Sequence, residues 1–176
     1  MASGSATSNK VFISYSSPAE DEFLEMLVKD LNGSQIEVAT REMLPLAPRE
    51  NHKQWSQRKC KSVAAVLVVM SSDLQEDDEC KADAEAATEL KSSVFFAKAK
   101  PFNENEWMKK VKADYVAFDL TPIKYKANVK LLIASLKQVF ATQGVCRFFW
   151  RFLSLLRHID PLSSNILFWK IKKLSL

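Results

Sequence analysis

The feature that most constrains the fold is an unbroken apolar segment at residues 63–70, which reads Val-Ala-Ala-Val-Leu-Val-Val-Met. Eight apolar residues in a row, half of them β-branched, are typical of a strand that is buried on both faces. Such a strand needs a layer of helices on each side of its sheet. The segment therefore predicts the centre of a parallel sheet.

Shorter strand-like segments alternate with helical ones through the first 140 residues. Strands are predicted at residues 11–15, 35–39, 93–97 and 115–118, and helices at 18–31, 49–61, 80–90, 104–112 and 121–140. This alternation builds βαβ units, whose strands are parallel and whose helices cover both faces of the sheet. Functional loops of such sheets gather at the carboxyl ends of the strands. In this chain those ends are residues 14–18, 40–48 and 71–80.

The basic excess of the chain is confined to its C-terminal end. The formal net charge is +4, but residues 1–140 carry 19 Lys and Arg against 20 Asp and Glu, whereas residues 141–176 carry six against one. This distribution argues against a basic nucleic-acid-binding domain. We expect a flexible leader at residues 1–9, one near-neutral domain at 10–140 and a basic aromatic helical tail at 141–176.

Several classes of protein are excluded by the composition. With 47% hydrophobic residues the chain is too apolar to be disordered throughout. The sequence contains no run of 18 apolar residues, so we expect no membrane-spanning helix. Three cysteines are too few, and odd in number, for a disulfide scaffold, so we expect reduced thiols in an intracellular protein. We expect no metal site and no phosphate-binding loop, because the Cys, His and Gly residues lack the required spacing.

Two short motifs resemble the signatures of the TIR (Toll/interleukin-1 receptor) domain family. Val-Phe-Ile-Ser-Tyr-Ser at residues 11–16 is similar to its first signature, and Arg-Glu-Met-Leu-Pro at 41–45 is similar to its second, Arg-Asp-x-x-Pro-Gly. Residues 68–71 followed by Cys80 also resemble animal TIR adaptors. The resemblance covers residues 10–140 and implies an α/β, flavodoxin-like five-stranded parallel sheet with helices on both faces. A C-terminal helical extension follows it here.

The resemblance also implies a function. Animal TIR adaptors transduce signals, including those of innate immunity, by homotypic TIR–TIR protein interaction. We therefore expect a cytoplasmic adaptor or signalling domain whose partners are other TIR domains, either its own copies or those of receptors and adaptors. We expect no cofactor and no nucleic-acid partner.

The first candidate site is the Arg41 loop, which we define as residues 41–48. Its two prolines and its apolar side chains suit a rigid tip that makes a protein–protein contact. Leu46 stands where the family has glycine. The alternative is an ordinary connection whose leucines pack inward. The interface residues that we predict are Arg41, Glu42, Met43, Leu44, Pro45 and Leu46.

The second candidate is the acidic segment, residues 73–89, with eight acidic side chains against a single lysine. Such a surface attracts a basic partner. Pairing with the Arg41 loop of a neighbouring copy would give an open-ended contact. The alternative is a solvated helix start, where acids are favourable. The acidic patch is predicted at Asp77, Asp78 and Glu79.

The third candidate is catalytic and gives the alternative function. Some TIR domains are NAD+ nucleosidases, which cleave NAD at the nicotinamide–ribose bond with one Glu placed three residues after a Trp-Cys pair. Here the residue three after Cys80 is Asp83, and Glu85 lies about 200° further round a helix. Asp83 and Glu85 are therefore the catalytic candidates, with NAD as the ligand under this alternative. We favour the alternative that these two residues belong to a helix face of surface acids and that the chain is not an enzyme.

The fourth candidate is the basic tail. Its helical segments place basic side chains beside many aromatic ones, a pattern of helices that lie in a bilayer interface. There are three alternatives. The helices pack on the domain or on a second copy, the segment holds a displaced Phe-Trp signature of the family, or it is a variant terminus. The residues expected to contact a membrane or a partner helix are Arg147, Phe149, Trp150, Arg151 and Trp169.

Overall fold

The computed structural model describes residues 9–16 and 21–159, with side chains described in that range except at residue 21 and after residue 142. Five strands and five helices alternate along these residues. The strands are β1 (Lys10–Ser14), β2 (Glu37–Ala39), β3 (Ala65–Met70), β4 (Ser93–Lys98) and β5 (Val116–Asp119). The helices are α1 (Asp21–Gly33), α2 (His52–Lys61), α3 (Asp78–Glu89), α4 (Glu106–Lys112) and α5 (Tyr125–Ile159).

The five strands are parallel and lie in the order β2-β1-β3-β4-β5. The central strand β3 pairs with β1, where Val11 is opposite Ala65, and with β4, where Val66 is opposite Val94. Every residue of β3 is buried, as its unbroken apolar sequence predicted. The flavodoxin-like α/β sheet is therefore confirmed.

The sheet separates two apolar layers, because successive side chains of a strand point to opposite faces. One layer packs α1 and α5 on the sheet through side chains such as Leu27 and Leu132. The other packs α2, α3 and α4 against the opposite face through side chains such as Ala84, Ala87 and Met108. The small alanines allow α3 to lie close to the sheet, which brings its polar side chains near β1.

Capping residues explain where the helices of the second layer begin. The Asn51 side chain accepts a hydrogen bond from the Gln54 backbone N–H, and the Gln54 side chain accepts one from the Asn51 backbone N–H, so a capping box starts α2. The Asp77 side chain accepts hydrogen bonds from two backbone N–H groups and starts α3 two residues before the predicted position. In the other layer, α5 begins at Tyr125 rather than at residue 121.

The strand β2 is shorter than predicted, with three residues. Gln35, two residues before its start, has φ 64°, a left-handed backbone conformation that does not continue a strand. The strand therefore begins at Glu37 rather than at residue 35.

By its internal contacts the chain divides into two units, Met1–Phe140 and Ala141–Leu176. The sheet and the site described below belong to the first unit. The part of the second unit that the structure describes is the end of α5, as far as Ile159. Among the helices that the structure describes, none has both the length and the apolar character to cross a membrane.

Candidate functional site

The carboxylate of Asp83 is the centre of the site. Asp83 lies on α3, and its side chain has no exposure to solvent. Its Oδ1 accepts a hydrogen bond from Ser56 Oγ at 2.6 Å and lies 2.6 Å from Lys59 Nζ, both on α2. Its Oδ2 accepts a hydrogen bond from Ser14 Oγ of β1 at 3.1 Å and lies 3.6 Å from a guanidinium nitrogen of Arg41. One buried carboxylate therefore joins a strand, two helices and the Arg41 loop.

Lys59 supplies a positive charge beside this carboxylate. It is fully buried, although most of α2 is polar. Its ammonium contacts Asp83 as an ion pair without an aligned hydrogen bond, and lies 3.7 Å from the centre of the Trp55 ring and 4.7 Å from that of Phe12. Burial lowers the pKa of Lys59, and the Asp83 carboxylate opposes that change. The two aromatic faces stabilise the cation.

The interpretation of Asp83 as one of a face of surface acids is wrong. Its carboxylate is enclosed because α2 contributes a lysine and a serine that pair with it, and neither partner was predicted to face inward. Glu85, the other catalytic candidate, is exposed and accepts a hydrogen bond from Trp107 Nε1 at 3.0 Å. The two carboxylates lie on different sides of α3 and do not form one site.

Arg41 connects the Arg41 loop to the start of α3. Its side chain is 20% exposed, and guanidinium nitrogens lie 2.9 Å from Glu79 and 3.8 Å from Asp77. It also donates a hydrogen bond to Cys80 Sγ at 2.9 Å. Two of the three acids predicted as a patch therefore pair with Arg41 of the same chain, while the third is exposed and pairs with a neighbouring lysine. Pairing of this arginine with another copy would require these contacts to break.

The two cysteines whose side chains are described are buried thiols. Burial raises the pKa of Cys60 and of Cys80 to about 12, and the nearby Arg41 guanidinium lowers that of Cys80 only in part. Both thiols are therefore protonated at neutral pH and lack the character of a nucleophile. Within the described side chains, no three His, Cys, Asp or Glu residues are placed to hold a metal ion.

Two side chains of α2 hold the backbone of the Arg41 loop. The indole Nε1 of Trp55 donates a hydrogen bond to the Leu44 carbonyl at 2.5 Å, and Arg58 donates one to the Pro45 carbonyl at 2.9 Å. Carbonyls bonded in this way are fixed without the help of a partner protein. The middle of the loop is therefore attached to the helix that follows it.

Two carboxylates complete the support of the Arg41 loop. Glu50 pairs with Arg58 at 2.7 Å and accepts a hydrogen bond from the Ala47 N–H at 2.9 Å. These two contacts, that with Arg58 foremost, lower the pKa of Glu50 to about 2. At the other end of the loop, Tyr15 Oη donates a hydrogen bond to Glu42 at 2.9 Å.

The tip of the Arg41 loop presents apolar side chains to solvent. Met43 is 65% exposed and Leu46 is 44% exposed. Leu44, which lies between them in the loop, is partly buried and packs against the core. The alternative in which the leucines pack inward therefore holds for Leu44 but not for Leu46.

A second set of exposed apolar side chains lies at the opposite edge of the sheet. Val116, at the start of β5, is 56% exposed, and Ile123, in the turn after β5, is 96% exposed. β5 is one edge strand, and β2, which leads into the Arg41 loop, is the other. Exposed apolar side chains therefore lie on or after both edge strands of the sheet, and we refer to Val116 and Ile123 together as the second apolar surface.

Ser14 lies in the functional loop predicted at residues 14–18, but sequence reasoning missed three other members of the site: Trp55, Ser56 and Lys59. A signal for two of them exists, because Trp55 and Lys59 are four residues apart and therefore share a face of α2. The inward turn of that face depends on the partner carboxylate of α3, which is far away in sequence. The predicted tail contacts lie outside the described side chains: Arg147, Phe149, Trp150, Arg151 and Trp169.

Comparison with known proteins gives one family and one fold. The family model for the TIR domain matches residues 11–133. The crystal structure of the TIR domain of the Toll-related receptor TRR-2 from Hydra magnipapillata superposes with a TM-score of 0.55 at 16% sequence identity, covering 72% of this chain and 97% of that one. At this identity the likeness shows the fold alone. No curated protein matches the chain.

Proposed function

The chain belongs to the TIR domain family, as the sequence motifs indicated, and on that premise we propose that it transduces signals by homotypic TIR–TIR assembly, as an adaptor or signalling domain. The observation that carries the proposal is the Arg41 loop, whose backbone is held within the chain while Met43 and Leu46 face solvent. Its partners on this proposal are other TIR domains, including further copies of itself.

The support of the loop favours association. A loop that is ordered before binding loses less conformational entropy when a partner docks, so more of the contact energy appears as affinity. The Leu44 and Pro45 carbonyls are already bonded to α2 in the single chain. Met43, which is more exposed than Leu46, has a flexible side chain that adapts to partner surfaces.

The second apolar surface gives this assembly a direction. The Arg41 loop follows one edge strand, whereas Val116 and Ile123 lie on and after the other edge strand. If the loop of one copy docks on the β5 edge of the next, the contact joins two different surfaces. Such a heterologous contact leaves a free surface at each end and builds an open chain of copies.

A role as an NAD-cleaving enzyme is the weaker proposal. Asp83, which takes the position of the catalytic Glu in the family resemblance, has no exposed surface, and its carboxylate oxygens contact Lys59, Ser56 and Ser14. A carboxylate that already has these partners is not free to stabilise charge on a bound ribose. We propose that Asp83 is structural and that assembly needs no cofactor.

Assembly is tested by light scattering of the full chain over a concentration series. Leu46→Asp or Met43→Asp is expected to raise the concentration needed for assembly about 10-fold or more, because a charge replaces an apolar contact at the tip. Met26→Asp is the matched control, since Met26 is 42% exposed on α1, outside both surfaces. Unchanged assembly in both loop variants would contradict the proposal.

The enzymatic alternative is tested by the release of nicotinamide from NAD by the full chain, at concentrations that drive assembly. No release above the buffer rate is expected. Release by the native chain that is abolished in Asp83→Ala or in Glu85→Ala would show that the chain is an enzyme, and its loss in Asp83→Ala would also refute a purely structural Asp83. Circular dichroism of the variants distinguishes lost chemistry from lost folding.

A further inference from the structure

The Arg41 side chain links the base of the Arg41 loop to the start of α3 through Asp77, Glu79 and Cys80. We propose that Arg41 is a latch: closed, it holds the base of the loop in the conformation that presents Met43, and opened at Glu79, it releases residues 41–43 while the sheet stays folded and α2 keeps its bonds to the Leu44 and Pro45 carbonyls. The proposal rests on the loop-mediated assembly argued above and describes its regulation.

Most of the contacts that hold the Arg41 guanidinium are long or weak. Arg41 reaches Asp77 at 3.8 Å and Asp83 at 3.6 Å, both longer than a hydrogen bond. Its contact with Cys80 is to a neutral thiol, which is a weak acceptor. Glu79, at 2.9 Å, is therefore the strongest partner of the guanidinium.

One guanidinium donor supports the same conclusion. Arg41 Nε is buried and has no hydrogen-bond partner in the part of the chain that the structure describes. An unsatisfied buried donor makes the closed position less favourable than a fully bonded arginine would be. The closed latch therefore depends on Glu79, whose side chain is 40% exposed and can be reached from solvent.

The contacts divide into a fixed part and a part that can move. Asp83, Lys59 and Ser56 form a closed cluster that does not need Arg41 for its shortest contacts. Opening at Glu79 leaves this cluster intact, so the sheet and the two helices keep their packing. The Leu44 and Pro45 carbonyls stay bonded to α2, so the residues that gain freedom are those at the base of the loop, 41–43, and assembly weakens because Met43 loses its fixed position.

The latch is tested by amide hydrogen exchange in the dilute, unassembled full chain. The reporters are the Met43 and Leu44 amides, which donate to the Thr40 and Arg41 carbonyls in the closed loop. Glu79→Gln is expected to speed the exchange of these two amides about 3- to 10-fold, because the variant loses one charge-assisted hydrogen bond at a partly exposed site. Exchange at the amides of β3 is expected to stay unchanged.

Two comparisons make the result specific. Glu76→Gln removes an equal charge from an exposed position of the acidic segment and is expected to leave loop exchange unchanged. In an Arg41→Gln background, Glu79→Gln is expected to add nothing, because the latch is already open. If Glu79→Gln matches Glu76→Gln, or acts fully in the Arg41→Gln background, the latch is refuted.

The exchange measurement is independent of assembly. A loop that loosens in Glu79→Gln in a chain that never assembles would support the latch and refute the proposed function. Assembly that survives with a loosened loop at the native concentration would refute the regulatory role of the latch. The expected result is both a loosened loop and a raised assembly concentration.

Discussion

Asp83 and Lys59 depend on each other unequally. Asp83 also accepts hydrogen bonds from Ser14 and Ser56 and lies near Arg41. In the described part of the chain, Asp83 is the one acid within ion-pair distance of Lys59. Loss of the carboxylate charge therefore leaves a buried cation without its counter-charge, whereas loss of the ammonium leaves a carboxylate with three donors nearby.

This difference predicts the stability of matched variants. Asp83→Asn is expected to lower the free energy of unfolding by about 3–5 kcal/mol, because it leaves an unpaired buried charge. Lys59→Met is expected to lower it by about 1–3 kcal/mol. Urea unfolding followed by circular dichroism measures both values. The double variant is expected to be more stable than Asp83→Asn alone, and equal losses in the two single variants would show that the pair is symmetric.

At the scale of elements, α2 has two tasks. It supplies Ser56 and Lys59 to the buried cluster, and Trp55 and Arg58 to the Arg41 loop. Because α2 is bonded both to the buried cluster and to the Arg41 loop, it fixes the position of the loop relative to the core. Its polar sequence is therefore the composition of a connector between two sites.

The support of the loop by Glu50 predicts a pH dependence. Glu50 has a pKa of about 2 in the folded chain, lowered from the ordinary value of 4.5 by Arg58 and by the Ala47 N–H. Its contribution is therefore complete above pH 4.5 and is lost as the pH falls through about 2. The Ala47 amide resonance is expected to titrate near pH 2 and to lose that step in Glu50→Gln. A midpoint near 4.5 would show that the pair does not form in solution.

The elements could be predicted from the sequence because their signals are local. The apolar run at residues 63–70 and the alternation of strands with helices depend on neighbours in the chain, and the parallel sheet follows from them. The buried cluster could not, because Ser14, Lys59 and Asp83 come from three separate elements. The charge of the acidic segment suggested a surface, and the burial of Asp83 is explained by partners from other elements, Lys59 and Ser56 of α2 and Ser14 of β1.

At the scale of the whole molecule, the two apolar surfaces are separated by the width of the sheet. The Arg41 loop follows β2 at one edge, and Val116 and Ile123 belong to the region of β5 at the other. When the loop of one copy contacts the β5 edge of a second copy, the β5 edge of the first and the loop of the second stay free to bind further copies. The arrangement therefore favours growth over a simple symmetric dimer.

Directional growth predicts complementation between defective variants. Leu46→Asp keeps an intact β5 edge, and Ile123→Asp keeps an intact Arg41 loop, so neither grows alone but an equimolar mixture is expected to form dimers and stop there. Sedimentation velocity measures the species. A mixture of Leu46→Asp with Met43→Asp, both altered at the same surface, is the control and is expected to stay monomeric. Native assembly by Ile123→Asp would instead indicate a contact of loop with loop.

The position of β1 within the sheet has a consequence for synthesis of the chain. Of the five strands, β1 is translated first, yet it lies between two others, and Val11 pairs with Ala65, which is 54 residues further along. At ~5–20 residues per second, a ribosome needs about 3 to 11 s to make that stretch. For this interval the apolar Val-Phe-Ile of β1 lacks its central neighbour. Until β3 has emerged, the nascent chain therefore exposes this short apolar segment, to which chaperones can bind.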